Sequence, residues 1–295
     1  ARIQLNELEN DEAAKEHYRT ILEINPNHAE ALEALQRILV AQHEWEELKQ
    51  VYTDQEDWDG YLTLLDESYE REDDSLVRSE IQLEAVRVVG ECKGDQDEVI
   101  LRLEKLLRDD ASNLEASRIL EQKYLALGKA EERLRILSMM ASHVASVDGE
   151  IEALSMSVSV LADLERPSEG FDLVCRLADL DLVEGRFNRG DHLETLADQS
   201  NRMSDLSEWY SDAVERTGGI EEELAILLRL ARVYEDRLGE SGKAIAVYKQ
   251  LVEMDGSDLD VLKQLELLSY SEQDWSGYSD AVDRQVDLLH SVGSE

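Results

Sequence analysis

Residues 14–35 read AKEHYRTILEINPNHAEALEAL, and residues 244–265 read AIAVYKQLVEMDGSDLDVLKQL. Sliding the chain on itself by 230 sets one stretch on the other without a gap. Ala14 meets Ala244, Tyr18 meets Tyr248, Glu23 meets Glu253, Leu32 meets Leu262 and Leu35 meets Leu265. The match extends outward to Arg2 with Arg232, Leu8 with Leu238 and Trp45 with Trp275. Within each copy, apolar residues recur at helical spacing on either side of a polar break, Asn25-Pro26-Asn27 in the first. A periodic segment, a breaker and a second periodic segment describe two helices folded back on each other.

Two weaker shifts show that the pattern continues between these copies. A shift of 85 aligns Arg2 with Arg87, Ala31 with Ala116 and Leu35 with Leu120. A shift of 156 places Leu8 on Leu164 and Ala14 on Gly170. Equivalent helices are therefore expected near residues 14, 99, 170 and 244, with steps of 85, 71 and 74. Each step has room for two helical hairpins of about 34 residues and a few loop residues. Val99, Leu103, Leu106 and Leu107 keep the helical rhythm, as do Leu224, Leu227, Leu228, Ala231, Tyr234 and Leu238. Further polar breaks fall at Arg71-Glu72-Asp73-Asp74, Lys93-Gly94-Asp95, Gly218-Gly219 and Gly239-Glu240-Ser241-Gly242. Strand alternation and hairpin-turn dipeptides between alternating runs do not occur.

These residues resemble the tetratricopeptide repeat family. Ala14, Tyr18, Ile21 and Pro26 match its second-helix pattern, and Leu32 and Leu35 match the start of the following unit. Ala244, Tyr248 and Leu251 repeat the pattern, with Gly256 in place of the proline. The resemblance covers residues 1–62 and 220–290 and degenerates between them. It implies an all-α, right-handed solenoid of antiparallel helical hairpins. The expected organisation is one array over 1–295, a fragment of a longer series, with modules of about 1–95, 96–166, 167–240 and 241–295. It also implies a concave surface lined by the first helix of each hairpin. The groove positions fall on Glu30, Glu33 and Arg37, carried by the shifts to Glu115, Arg118 and Gln122 and to Asp260, Lys263 and Leu267.

A second signature recurs at an offset of 217. Asp57-Trp58-Asp59-Gly60-Tyr61 is close to Asp274-Trp275-Ser276-Gly277-Tyr278. An extra short helical turn in the first module would account for this offset and for the long first step. Ser207-Glu208-Trp209-Tyr210 is read as a third copy, each with an indole at a helix start wedged between hairpins. The stretch 141–205, with Ser155-Met156-Ser157-Val158-Ser159 and an insertion at 184–191, is expected to be the least regular.

Composition excludes several classes. The chain has 295 residues, 42% of them hydrophobic, and a formal charge of −38. Its aliphatic content suffices for a packed core, and no run of about 18 uncharged apolar residues exists to span a bilayer. Strong negative charge disfavours sequence-general nucleic-acid binding. Cys92 and Cys175 are read as two buried or half-buried thiols. Their scarcity fits a reducing compartment and favours the cytoplasm. The opening residues read as the second half of a helix, so the chain is expected to be a piece of a longer protein.

Motifs for chemistry are weak. The six histidines include no pair at i, i+4 and no zinc-protease spacing. Neither a glycine-rich phosphate loop nor a nucleophile elbow is found, so no cofactor, metal or catalytic residue is assigned. Gln55, Asp57, Asp59 and Gly60 fall in a calcium-loop frame ending at Asp66, but that loop wants a carboxylate first and a glutamate last. An acidic helix N-terminus, favoured by the helix dipole, is the simpler reading.

Acidic charge is uneven. Residues 41–80 carry 14 acidic and 3 basic side chains, and 251–280 are also strongly acidic. Residues 101–140 are nearly balanced, as a contact face would be. The function expected is a non-catalytic scaffold for a protein or peptide partner, with acidic ends that attract a basic one. The alternative is a structural segment of a large assembly built from repeat arrays, self-assembling through its terminal repeats.

Overall fold

The computed structural model describes residues 11–25, 28–54 and 56–292, without the side chains of the last two. Every regular element among them is helical. The helices group into two compact units, Ala1–Lys129 and Ala130–Glu295.

The first unit holds α1 (Asp11–Ile24), α2 (Ala29–Ala41), α3 (Trp45–Thr53), α4 (Trp58–Arg71), α5 (Ser75–Val88), α6 (Gln96–Asp109) and α7 (Leu114–Ala126). A π-helical turn, Val89–Lys93, prolongs α5. Consecutive helices pack on each other as antiparallel hairpins. Short side chains that accept backbone N–H groups start most of them. Asp74 accepts from Leu76 N at 2.8 Å, Asp95 from Glu98 N at 3.0 Å and Asn113 from Ala116 N at 2.9 Å. The interior is aliphatic with inserted tyrosines: Leu35, Leu48, Leu65, Ile81 and Leu103 beside Tyr61 and Tyr69 are all buried. Helix α5 buries Gln82 and Glu84 as well as Ile81, Leu83, Ala85 and Val86, so it is enclosed nearly all round.

The second unit holds α8 (Ala130–His143), α9 (Val147–Asp163), α10 (Pro167–Val183), α11 (Gly190–Gln199), α12 (Met203–Arg216), α13 (Ile220–Arg232), α14 (Ser241–Met254), α15 (Leu259–Ser271) and α16 (Trp275–Val292). A π-helical turn, Val233–Leu238, prolongs α13. Two apolar clusters meet on that helix. Ile226 and Leu230 belong to the cluster running back to Ala141, and Leu227 and Ala231 to the one running on to Ala281. Each cluster is built from near neighbours in sequence, as in a quasi-one-dimensional stack.

The helix starts reproduce the repeat steps. Helices α1, α6, α10 and α14 begin at Asp11, Gln96, Pro167 and Ser241, spaced by 85, 71 and 74 residues. A further relation was not read from the sequence: helices α3 to α7 recur as α11 to α15 at an offset of 145. Trp58–Arg71 corresponds to Met203–Arg216, Gln96–Asp109 to Ser241–Met254 and Leu114–Ala126 to Leu259–Ser271. Both copies carry the π turn, closed by Gly94 and by Gly239. Few side chains are identical, because this copy is kept by helix lengths and turns more than by residue identity.

Several expectations change. The long first step holds five helices, α1 to α5, where each of the next two steps holds four, rather than an extra short turn. Asp57-Trp58 and Asp274-Trp275 do start helices, but Trp209 lies in the middle of α12 and Trp275 is 59% exposed. The third copy is therefore not a helix start, and Trp275 is not wedged between hairpins. Trp209 instead stacks on Phe187 at 6.4 Å and donates its indole N–H to Asp179 at 3.1 Å. Cys92 is exposed, on the π turn, whereas Cys175 is half-buried. Hairpin spacing is uneven over 141–205, where two 17-residue helices precede the six-residue linker 184–189. Of the calcium-loop frame, Gln55 lies outside the described residues, and Asp57 caps α4 through Gly60 N at 2.9 Å. Pro26 also lies outside them.

Candidate functional site

An open groove of about 660 Å³ runs along the first unit. Alternate helices supply its walls: Glu12, Lys15 and Arg19 from α1, His43 to Glu47 around the start of α3, Glu80, Leu83, Glu84 and Arg87 from α5, and Glu115 from α7. Seven carboxylates thus face three cations. Helical spacing explains the grouping, since Lys15 and Arg19, and likewise Glu80, Glu84 and Arg87, project from one face of their helices.

The cations are already engaged. Lys15 is only 2% exposed, and its Nζ lies 2.7 Å from Glu12 and 2.8 Å from Glu44. Burial alone would lower its pKa, but hydrogen bonds to the two glutamates carry it above the ordinary lysine value. The Lys15 hydrogen bond holds Glu44 below the usual carboxylate range. Arg19 Nε donates to Glu47 at 2.6 Å, and Arg87 donates to Glu84 at 3.2 Å and to Glu115 at 3.4 Å. Glu84 is buried, which raises its pKa against the pull of Lys49 and Arg87. Its Oε1 lies 3.8 Å from Lys49 and 3.5 Å from the Tyr61 hydroxyl. That hydroxyl also donates to Trp45 O at 3.0 Å, tying α4 to the start of α3. The Trp45 ring stacks on His43 at 5.9 Å, and its indole N–H is enclosed without an acceptor. The groove is thus acidic, with an aromatic wall.

The second unit repeats part of this arrangement. A pocket of about 280 Å³ is lined by Leu228, Arg232, Glu235, Asp236, Tyr248, Asp258, Asp260, Val261 and Gln264. Leu228, Arg232 and Asp260 stand 145 residues after Leu83, Arg87 and Glu115. Glu235 accepts from the Tyr248 hydroxyl and from Gln264 Nε2, both at 2.9 Å.

The nine groove positions implied by the family resemblance all fall on α2, α7 and α15 and are all exposed. Two line these concavities, Glu115 in the first unit and Asp260 in the second. Glu30, Glu33, Arg37, Arg118 and Gln122 do not line the first groove. Lys263 pairs with Asp260 at 3.4 Å, and Leu267 is 64% exposed. Sequence reasoning missed Lys15, Arg19 and the Glu44 to Glu47 run. The signal available was two cations one helical turn apart in a strongly acidic chain. Among the described residues, no group of three His, Cys, Asp or Glu side chains is placed to hold a metal ion, and no helix is long and apolar enough to cross a membrane.

A family model for the tetratricopeptide repeat matches residues 5–28 and 224–258. No curated protein matches the chain. Similar solved structures include a tetratricopeptide repeat protein from Parabacteroides merdae ATCC 43184, 11% identical over 83% of this chain and 92% of that one, with a TM-score of 0.34. MamA (41-end) from Desulfovibrio magneticus RS-1 is 19% identical over 62% of this chain and 97% of that one, with a TM-score of 0.28. YrrB, described as a TPR protein with an unusual peptide-binding site, is 12% identical over 78% of this chain and 97% of that one, also at 0.28.

Proposed function

We propose that the chain, in which residues 5–28 and 224–258 match the tetratricopeptide repeat, serves as a non-catalytic scaffold that holds a basic segment of a partner protein in the acidic groove of its first unit. The observation that carries this reading is the excess of carboxylates in a concavity large enough for a peptide. Glu46 and Glu47 stand at the start of α3, where the groove opens, and steer a cationic segment during encounter. An extended basic peptide would present cationic side chains at regular spacing along such a concavity.

The test is binding of the full chain to an array of basic and neutral 12-residue peptides, with association rates measured across a salt series. Basic peptides should bind, and Glu46→Lys with Glu47→Lys should slow association and flatten its salt dependence. Unchanged rates in the double variant would sink the proposal. A second reading, a structural segment of a larger assembly, is supported by Val286 and Leu289, which are 45% and 59% exposed on α16. Concentration-dependent self-association lost in Leu289→Lys would favour it.

A further inference from the structure

The end of α15 and the start of α16 display apolar side chains that the second unit leaves open. Leu267 is 64% exposed, Tyr270 62% and Trp275 59%. Tyr270 sits between two rings, edge-on to Trp275 at 5.9 Å and tilted to Tyr278 at 5.8 Å. Exposed rings gathered in one place, beside an exposed leucine, mark an interaction surface.

Several other aromatic faces in this protein are covered by cations. Arg78 and Lys105 lie 4.5 and 4.3 Å from the Tyr69 ring, Arg202 lies 4.6 Å from Phe171 and Lys243 lies 5.1 Å from Tyr234. Among the described residues, no lysine or arginine lies over Tyr270, Trp275 or Tyr278. The nearby cations are held elsewhere: Lys249 by Asp274 at 2.6 Å, Lys263 by Asp260 at 3.4 Å and Arg284 by Asp280 at 3.1 Å. Glu266 accepts a neutral amide donor, Gln285 Nε2, at 2.8 Å, and among the described residues its charge has no cationic partner. Open ring faces, with this carboxylate one helical turn before Tyr270 on α15, form a site for a positive group that the chain does not supply itself.

We infer that the Tyr270–Trp275–Tyr278 patch binds an arginine of a partner segment, with the guanidinium laid on the open aromatic faces and an apolar neighbour set against Leu267. Arginine suits the patch better than lysine, because a planar, weakly hydrated guanidinium stacks on a ring while keeping its edge for carboxylates. A second copy of the chain is the poorer occupant, since each copy carries a charge of −38 and the two repel. The inference rests on the scaffold reading but not on the groove of the first unit.

The experiment uses the full chain and a 12-residue peptide carrying three arginines and one leucine, against the same peptide with citrulline at each arginine. Binding is followed by calorimetry and by the indole N–H resonance of Trp275. The arginine peptide should bind and shift that resonance, and the neutral citrulline peptide should not. Trp275→Ala and Tyr270→Ala should each weaken binding about tenfold, as loss of a desolvated cation–ring contact does, while Trp275→Phe retains part of it. The groove variant with Glu46→Lys and Glu47→Lys should still shift Trp275. Equal binding of the citrulline peptide, an unaltered Trp275→Ala, or no binding at all overturns the inference. So does a chain that dimerises in sedimentation and becomes monomeric as Trp275→Ala, which would make a second copy the occupant. Loss of binding in the groove variant alone would leave the groove reading standing and remove this one.

Discussion

Gly94 and Gly239, 145 residues apart, close the same turn: each follows a π-helical segment and adopts left-handed backbone, with φ of 69° and 66°. A Cβ at either position would meet no atom within 4 Å, so nothing but the backbone requires glycine there. An L-residue in this conformation costs about 1–2 kcal/mol. Gly94→Ala and Gly239→Ala should each lower stability by about that amount in urea unfolding, and the asparagine variants by less, since asparagine tolerates left-handed backbone. Equal losses for alanine and asparagine would contradict this account.

The Asp-Trp-x-Gly-Tyr signature has a different physical basis. Asp57 and Asp274 cap their helices by accepting from Gly60 N at 2.9 Å and Gly277 N at 3.1 Å. Each carboxylate folds so closely over its glycine that a Cβ would lie 2.2 Å from Asp57 Oδ2, or 2.6 Å from Asp274 Oδ2. Gly60→Ala should therefore destabilise as much as Asp57→Ala, about 1 kcal/mol, and the double variant little more than either alone. Additive losses in thermal unfolding would mean that the glycine is not there for the cap.

The Lys15–Glu44 pair sets a pH dependence. A carboxyl held below its unfolded pKa stabilises the fold above about pH 4.3, and the contribution is lost as pH falls through the folded value. Lys15, whose pKa is raised, acts on the other limb: its contribution is complete below about pH 10.4 and lost as pH rises through the folded value. Glu44→Gln should lower the melting temperature at pH 7, with the difference shrinking below about pH 4. A difference that persists at pH 3 would assign the effect to packing instead.

The two thiols should separate in reactivity. Burial pushes the Cys175 thiol up to about 12, with Asp179 and Asp172 adding to the shift, whereas Cys92 is exposed. Ellman's reagent at pH 8 should label one thiol promptly and the second only in denaturant, because the thiolate is the reacting species. Cys92→Ser should remove the prompt phase. Two fast equivalents would show that the α10 region opens readily.

Much of the fold was legible because helical arrays write themselves as period and interruption. The spacing of Ala14, Tyr18 and Ile21 and its copy at Ala244 placed four helices in correct register. The groove was less legible. The family resemblance pointed at one exposed face of α2, α7 and α15, while the walls of the first groove come mainly from α1, α3 and α5. Five helices in the first step, against four in each later one, shift which helices share a layer, and the nine-residue α3 leaves little periodicity to detect. Trp209 misled for a related reason: an acidic residue before an indole occurs at a cap and also within a helix.

Lys49 lies 3.8 Å from Glu84, and at the corresponding positions of the second unit Glu194 lies 2.7 Å from Arg229, so the same contact is made with its signs exchanged. Two near-copies in one chain invite segments of one to fold onto the other, a characteristic hazard of repeat proteins. Exchanging α3 with α11 would set Lys49 against Arg229 and Glu194 against Glu84. Like charges at these partly buried positions make the crossed pairing costly at the stage when both copies are still searching for partners. With Glu84→Gln alone as the control for the lost Arg87 hydrogen bond, reversing one bridge as a whole, Lys49→Glu with Glu84→Arg, keeps an ion pair at that position and removes the mismatch. That variant should refold with a larger aggregated fraction than the parent, and an unchanged refolding yield would show that the inverted pair does not guard the order of assembly.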